Sequence, residues 1–335
     1  MIFRKSITWR SSLAICPLLL QIAVAILLQF DLLELRVAFF LIVFLLSETH
    51  FGSTFLFFLS PENRTWFLGA PARRNLLPAV LGTTLIIGIF SVESLLLLAS
   101  ALSSFHVTRQ TVGVSKLLGC KQTQGPVFTF IYIFSALCIG IAAIRFIFSP
   151  WTMAEPSMSP VSELLGTPQS YWFAAIAIVI GAVTTSRFLR LSLSQRCVVI
   201  AGALTYVPYL CFGSQLTGHL VSVTGHWTQY LIIQYVVYRP IQRSSVRLSS
   251  EARKRSGYVI AVACCCVLLY SLAMSLAWVS HLTIFGTYET SRLLIVPLLL
   301  QISHYVIDGQ IWRFRDPHIQ KIIGSRLSTA GQAPA

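Results

Sequence analysis

The sequence predicts an all-α fold, a polytopic transmembrane helical bundle of eight or nine spans. Three observations carry that prediction. The 335 residues are 55% apolar and only 11% charged, with a mean hydropathy of +0.74, whereas about a quarter of a soluble domain is charged. Apolar runs approaching the roughly 20 residues that a hydrocarbon core requires occupy most of the chain. The basic residues gather in short clusters between those runs, where they orient helices and meet anionic headgroups. Disordered, collagen-like and small disulfide-scaffold classes fall to the same composition. The net charge of +14 therefore marks membrane topology, and no nucleic-acid partner is expected.

The spans follow in order. Span 13–30 comes after Arg4, Lys5 and Arg10 and reads as a signal anchor, although Ala23-Val24-Ala25 imitates a cleavage site. Span 36–60 leads to a loop with Arg64, Arg73 and Arg74. Span 77–105 comes next, then 127–149. Spans 171–186 and 197–213 are short, and the latter nearly fuses with 215–238. Spans 257–280 and 290–312 complete the set. Residues 1–335 are expected to form a single integral membrane domain, with 313–335 a short polar cytoplasmic tail. No internal repeat or low-complexity tract interrupts them.

Loop charge sets the orientation, because basic loops face the cytoplasm. Segment 106–126 carries Arg109, Lys116 and Lys121, whereas 150–170 carries only Glu155 and Glu163. Segment 187–196 has three arginines, the turn near 214 has no charge, and 239–255 has six basic residues against Glu251. The front half does not join this alternation. Segments 61–76 and 106–126 are both basic, yet one span separates them. Either 77–105 is broken or re-entrant, or a span is misdrawn. The sequon Asn63-Arg64-Thr65 lies in a basic loop and is expected to be unmodified.

Ionisable residues inside spans are costly, and each is a functional-site hypothesis. They are Glu48, His50, Glu93, His219, His226, His304 and Asp308, with His106 at a span end. The charge-derived orientation puts His50, His106, His226 and His304 in one layer on the cytoplasmic side. These four are the expected metal ligands. His106 and Gln110 are four residues apart, as are His304 and Asp308, and such pairs share a helix face. His226 has Tyr230 at the same spacing. Asp308, Gln110 and Tyr230 are thus the expected catalytic partners, able to fix imidazole tautomers. Glu48 and His50, two residues apart, point to opposite helix faces. His219 and His226 are about 10 Å apart along a helix axis and cannot share an ion. The blander alternatives are Asp308 paired with Arg313 or Arg315, Glu93 as a mid-span protonated acid, and Tyr230 as a packing aromatic.

None of the eight cysteines forms a C-x-x-C pair with zinc spacing, so they read as apolar packing residues. Imidazole with carboxylate and no thiolate suits iron, with zinc, manganese and copper as alternatives. The expected cofactor is a metal ion, iron first, supporting dioxygen chemistry on a lipophilic or small organic substrate. The lipid bilayer and a redox partner are the other expected partners.

His50-Phe51-Gly52, His106-x-x-x-Gln110 and the segment from His304 to Arg313 resemble the membrane multi-histidine oxidoreductases. The nearest are the carotene-cleaving dioxygenases of the Brp/Blh type, similar in histidine usage and span number. The resemblance implies an iron held by histidines among the spans, with His50 as the local match through its His-Phe-Gly context. The paired-histidine boxes of the membrane fatty-acid desaturases are absent. Two other classes compete. His304-x-x-x-Asp308-Gly309 matches the core of an acyltransferase pattern in which the histidine is a general base, although Ser303 stands where a second histidine is usual. A transporter or a non-catalytic membrane component would use Glu93 and Asp308 as ion or proton sites.

Overall fold

A computed structural model describes residues 9–117, 124–147, 168–212, 215–244, 250–284, 292–313 and 316–324. The expected acidic loop carrying Glu155 and Glu163, and the tail beyond 324, lie outside them. Every regular element among the described residues is helical, and none is a strand.

Helix α1 (Trp9–Gln29) closes in a turn where Asp31 takes a left-handed φ of 50°, a conformation that aspartate tolerates better than most residues. The next pass changes helical pitch three times. It runs through α2 (Leu35–Ile42), a π-helical turn (Val43–Glu48), α3 (Thr49–Thr54) and a 3-10 turn (Phe55–Leu59). The Thr49 hydroxyl donates to the Phe44 carbonyl, five residues back, at 2.9 Å. Such π turns shift the helical phase and occur often at functional sites. Helices α4 (Pro61–Gly69) and α5 (Pro71–Phe90) both carry proline in the first turn, where its missing N–H costs nothing.

The expected span 77–105 is two helices. Ser91 is extended (φ −157°, ψ 111°), and its hydroxyl accepts the Ser94 N–H at 3.1 Å, which starts α6 (Val92–Leu117). The charge pattern left open a broken segment or a misdrawn span, and the helix is interrupted at Ser91. Glu93 is therefore an exposed first-turn residue of α6 and not a mid-span acid; a carboxylate is favoured at that end of the helix dipole.

The remaining helices are α7 (Gln124–Ile147), α8 (Pro168–Ser186), α9 (Leu193–Ala203), α10 (Pro208–Cys211), α11 (Gln215–Ser244), α12 (Ser250–Ile284), α13 (Ile295–Ile311) and α14 (Pro317–Ile319). Ser192 and Gln195 form a reciprocal capping box at the start of α9. Three segments are long and apolar enough to cross a membrane, namely Leu35–Leu59, Gly125–Arg145 and Ala261–Trp278. Only 11% of the last window is buried inside the protein. Its outward Leu268, Leu269 and Leu276 would suit lipid and not water. Other helices fall short through length or polar content: α13 has 17 residues, and α11 carries His, Thr and Gln through its length.

The chain divides into two compact units, Met1–Leu35 with Val107–Gln229, and Arg36–His106 with Tyr230–Ala335. In the first, α7, α8 and α9 pack around Val127, Phe130, Ile131, Ala182, Val199 and Ala203. Gln21 of α1 donates to the Val221 and Ser222 carbonyls of α11. Gly225 leaves room for that amide, since a Cβ would fall 2.5 Å from the Gln21 Cδ and displace the side chain. In the second unit, α13 packs on α5 and α3, and α12 packs on the π turn and α3. Its core includes Val92, Leu95, Ala99, Leu298 and Ile302.

Candidate metal centre

Four helical segments of the second unit supply the site. His50 and Thr54 sit one turn apart on α3, His106 on α6, and Tyr230 on α11. His304 and Asp308 share one stripe of α13 with Trp312 at its C-terminus. His50, His304, Thr54 and Tyr230 are completely buried. The His50 ring lies 4.4 Å from that of His304 and 4.0 Å from that of Tyr230, centroid to centroid, and His106 lies 5.0 Å from His304. Phe51 and Tyr305 close the cluster at 5.0 Å from His304 and 4.6 Å from His106.

One potential ligand nitrogen from each of His50, His106 and His304 falls within 4.8 Å of the other two, so the three can hold a metal ion. The Asp308 Oδ2 lies 3.8 Å from His106 Nε2 and 3.7 Å from His304 Nε2. Both distances are too long for hydrogen bonds. Ligand bonds of about 2.0–2.2 Å place two donors on one ion roughly 3–4.4 Å apart. The carboxylate contacts fall in that range, and the imidazole nitrogens, within 4.8 Å of one another, would draw closer together on binding an ion. The donor set is nitrogen and oxygen only. Cys16, Cys197, Cys264, Cys265 and Cys266 are exposed on helix surfaces.

The hydrogen bonds around Thr54 couple the His304 tautomer to Asp308 and Tyr230. Tyr230 donates to Asp308 Oδ1 at 2.8 Å, and Trp312 Nε1 donates to Oδ2 at 3.1 Å. The Thr54 oxygen is 2.7 Å from the Tyr230 oxygen, 2.7 Å from His304 Nδ1 and 3.2 Å from Asp308 Oδ1. Thr54 has one hydrogen. With that hydrogen given to Asp308 or Tyr230, its contact with His304 is acceptance from Nδ1–H, and the deprotonated nitrogen of His304 is then Nε2, on the side of His106 and Asp308; with it given to Nδ1, the tautomer is the reverse. A metal-bound imidazole takes the first arrangement, oriented by the hydrogen bond of its other nitrogen.

Of the residues singled out from sequence, His50, His106, His304, Asp308 and Tyr230 come together. His226 and Gln110 belong to the first unit, and the three-histidine group forms without them. Tyr230, one turn beyond His226 on α11, reaches the cluster. Asp308 does not pair with Arg313, whose Nε donates to the Gly309 carbonyl. Glu48 leaves the opposite face of its segment and accepts from Tyr270 at 3.0 Å and Trp278 at 3.2 Å. Sequence reasoning missed Thr54 and Trp312. The spacing of four that linked His304 to Asp308 also links His50 to Thr54 and Asp308 to Trp312, so the signal was present. Asn63 of the sequon is buried, donating to the Phe57 carbonyl at 2.8 Å and meeting His318 Nε2 at 3.0 Å.

Comparison with known proteins adds no relative: no family profile matches the chain, and no curated protein or solved structure is significantly similar to it.

Proposed function

We propose that this chain is a membrane-embedded, metal-dependent oxidoreductase that acts on a lipophilic or small organic substrate with dioxygen. The observation carrying the proposal is the convergence of His50, His106 and His304 from separate helical segments, with ligand nitrogens within 4.8 Å of one another. Iron is the favoured metal, since imidazole with carboxylate and no thiolate suits it. When bound, it would supply dioxygen activation for hydroxylation, desaturation or oxidative cleavage. His50, His106 and His304 would hold it, with Asp308 as a further oxygen donor. Thr54 keeps the proton on His304 Nδ1, Tyr230 and Trp312 orient Asp308, and Phe51 and Tyr305 exclude water. A redox partner at the cytoplasmic face completes the reading.

The test is metal content of the detergent-purified full chain. His50→Ala, His106→Ala and His304→Ala should each lower a near-stoichiometric content. Fully active protein free of metal would refute the proposal. Acyl transfer by His304 is favoured by one contact, Thr54 Oγ1 to His304 Nδ1 at 2.7 Å, which has nucleophile–base length. It predicts loss of activity in Thr54→Val and His304→Ala with no change in metal.

The same chain supports a multi-pass topology with basic loops in the cytoplasm. With the chain broken at Ser91, we read α5 and α6 as separate passes, which would put two crossings between the basic segments 61–76 and 106–126. Taking residues 193–211 as one pass, the alternation then holds from end to end. This reading gives ten passes, against the eight or nine expected from apolar runs, of which Leu35–Leu59, Gly125–Arg145 and Ala261–Trp278 are long and apolar enough by themselves.

A further inference from the structure

Within the second unit, the two helical segments that carry most of the site are tied together a second time, just beyond it. Thr54 ends α3 and Asp308 stands near the end of α13, and their oxygens lie 3.2 Å apart inside the cluster. The chain leaves α3 through the 3-10 turn, where the Phe57 carbonyl accepts the Asn63 Nδ2–H at 2.8 Å. It leaves α13 through bonds from the Arg313 N–H to the Gln310 carbonyl and from the Asp316 N–H to the Arg313 carbonyl. Asn63 Oδ1 and His318 Nε2 then meet at 3.0 Å, joining residues 255 positions apart. Since the Asn63 amide nitrogen is committed to Phe57, its oxygen accepts and His318 Nε2–H donates. Asn63 is 5% exposed. Burying an amide is costly unless it is hydrogen-bonded, and here both of its ends are spent on linking the two segments.

The surroundings stiffen that link. The Trp66 ring stacks on His318 at 5.2 Å and lies 4.1 Å from the Arg73 guanidinium carbon. Trp66 Nε1 donates to Asp316 Oδ2 at 3.1 Å, and Arg73 Nη1 donates to the same oxygen at 3.3 Å. Asp316 Oδ1 accepts the His318 N–H at 2.9 Å. The chain thus closes a ring, with the Thr54–Asp308 contact on one side and the Asn63–His318 bond on the other. Metal binding has to hold α3 and α13 at ligand distance, and a ring closed in advance removes part of that ordering cost.

We propose that Asn63 and His318 are positioning residues of the metal centre, whose bond holds His50 of α3 and His304 of α13 at binding distance before an ion arrives. The inference rests on the metal-centre reading above. Linkage makes it two-sided: if the clasp favours metal binding, metal binding tightens the clasp by the same factor. A clasp that only anchored the C-terminal segment would show no such response.

The full chain in detergent is titrated with cobalt(II) against a chromophoric chelator. Hydrogen–deuterium exchange of peptides covering residues 60–75 and 312–324 is followed with and without cobalt(II). His318→Ala and Asn63→Ala should each bind cobalt(II) about tenfold more weakly than wild type, within the usual range for linked sites. His318→Gln, which keeps a donor N–H in the place of Nε2 but loses the ring stack, should stay within about threefold. Cobalt(II) should slow exchange in both peptides about tenfold in wild type and leave it unchanged in His304→Ala. His318→Ala binding as tightly as wild type overturns the proposal, and so does bound cobalt(II) that leaves clasp exchange unchanged. The wild-type exchange response and His318→Gln keep the test independent of whether the alanine variants fold. A wild-type chain that binds no cobalt(II) overturns the metal-centre reading itself, and this inference with it.

Discussion

Replacing Thr54 by valine removes one hydroxyl at nearly constant shape and tests directly whether His304 donates from Nδ1. Three contacts go: His304 Nδ1 and the Tyr230 oxygen, both at 2.7 Å, and Asp308 Oδ1 at 3.2 Å. Tyr230 keeps its own bond to Asp308 at 2.8 Å, so the carboxylate stays held. The loss falls on His304, which is fully buried. Its Nδ1–H, present when the ring binds a metal through Nε2, then lacks its acceptor, a penalty of about 1–3 kcal/mol for a buried donor. The ring relieves that penalty by moving the proton to Nε2, the nitrogen facing Asp308 Oδ2 at 3.7 Å. Either response weakens a metal ligand, and loss of such a supporting hydrogen bond lowers metal affinity roughly 10–100-fold. The assay is competition between detergent-purified protein and a chromophoric chelator, run with iron(II) under anaerobic conditions and with cobalt(II). Thr54→Ser should stay close to wild type, since serine retains the oxygen. A Thr54→Val protein that binds metal within twofold of wild type would refute that proton placement. So would a Thr54→Ser protein as weak as the valine variant.

His226→Ala should leave bound metal unchanged in the same assay, because His226 stands outside the three-histidine group; a loss equal to that of His106→Ala would place it among the ligands. The clasp between α4 and the C-terminal segment should loosen in acid. His318 stacks on Trp66 at 5.2 Å with an interplanar angle of 7°, and Asp316 pairs with Arg73 at 3.3 Å. Burial lowers the His318 pKa below its ordinary value of 6.5; Asp316 and Glu62 oppose the shift, while Lys321 and Arg73 add to it. The unfolded segment therefore binds the proton first, and the contribution of neutral His318 is present above pH 6.5 and lost as pH falls below it. Proteolysis of the tail should accelerate between about pH 7 and 5, and His318→Gln should flatten that dependence. Finally, in a cysteine-free background, Ser91→Cys should react with an impermeant maleimide from the side opposite to Arg64→Cys. Labelling of both from one side would overturn the ten-pass topology.

Much of the helical layout was legible because apolar runs and polar interruptions are local properties of the chain. Each expected span has a helix over it, and the charge pattern pointed to a break or a misdrawn span at 77–105 but not to its place at Ser91. No proline or glycine marks it, and the break depends on a single serine that caps the next helix. The π turn before His50 was equally silent. Its Thr49-to-Phe44 bond uses a threonine that would sit as readily in an ordinary α-helix. At the site, spacing of four along one helix was readable for His304 and Asp308, and the same rule missed Thr54 only because hydroxyls are too common in spans to single out.

The sequence by itself determined that the chain is helical, apolar on its outside and sparing with buried charge, since composition and local periodicity decide those properties. It also narrowed the chemistry to a few histidines and one aspartate, because ionisable groups are too costly in an apolar interior to be scattered freely. Only the tertiary structure decided which of them meet. A depth estimate places residues along the membrane normal and says nothing of rotation about each helix axis. That rotation brings Tyr230 of α11 to the cluster, with His226 one turn away on the same helix and outside the group. It also turns Glu48 towards α12 while His50, two residues on, faces His304.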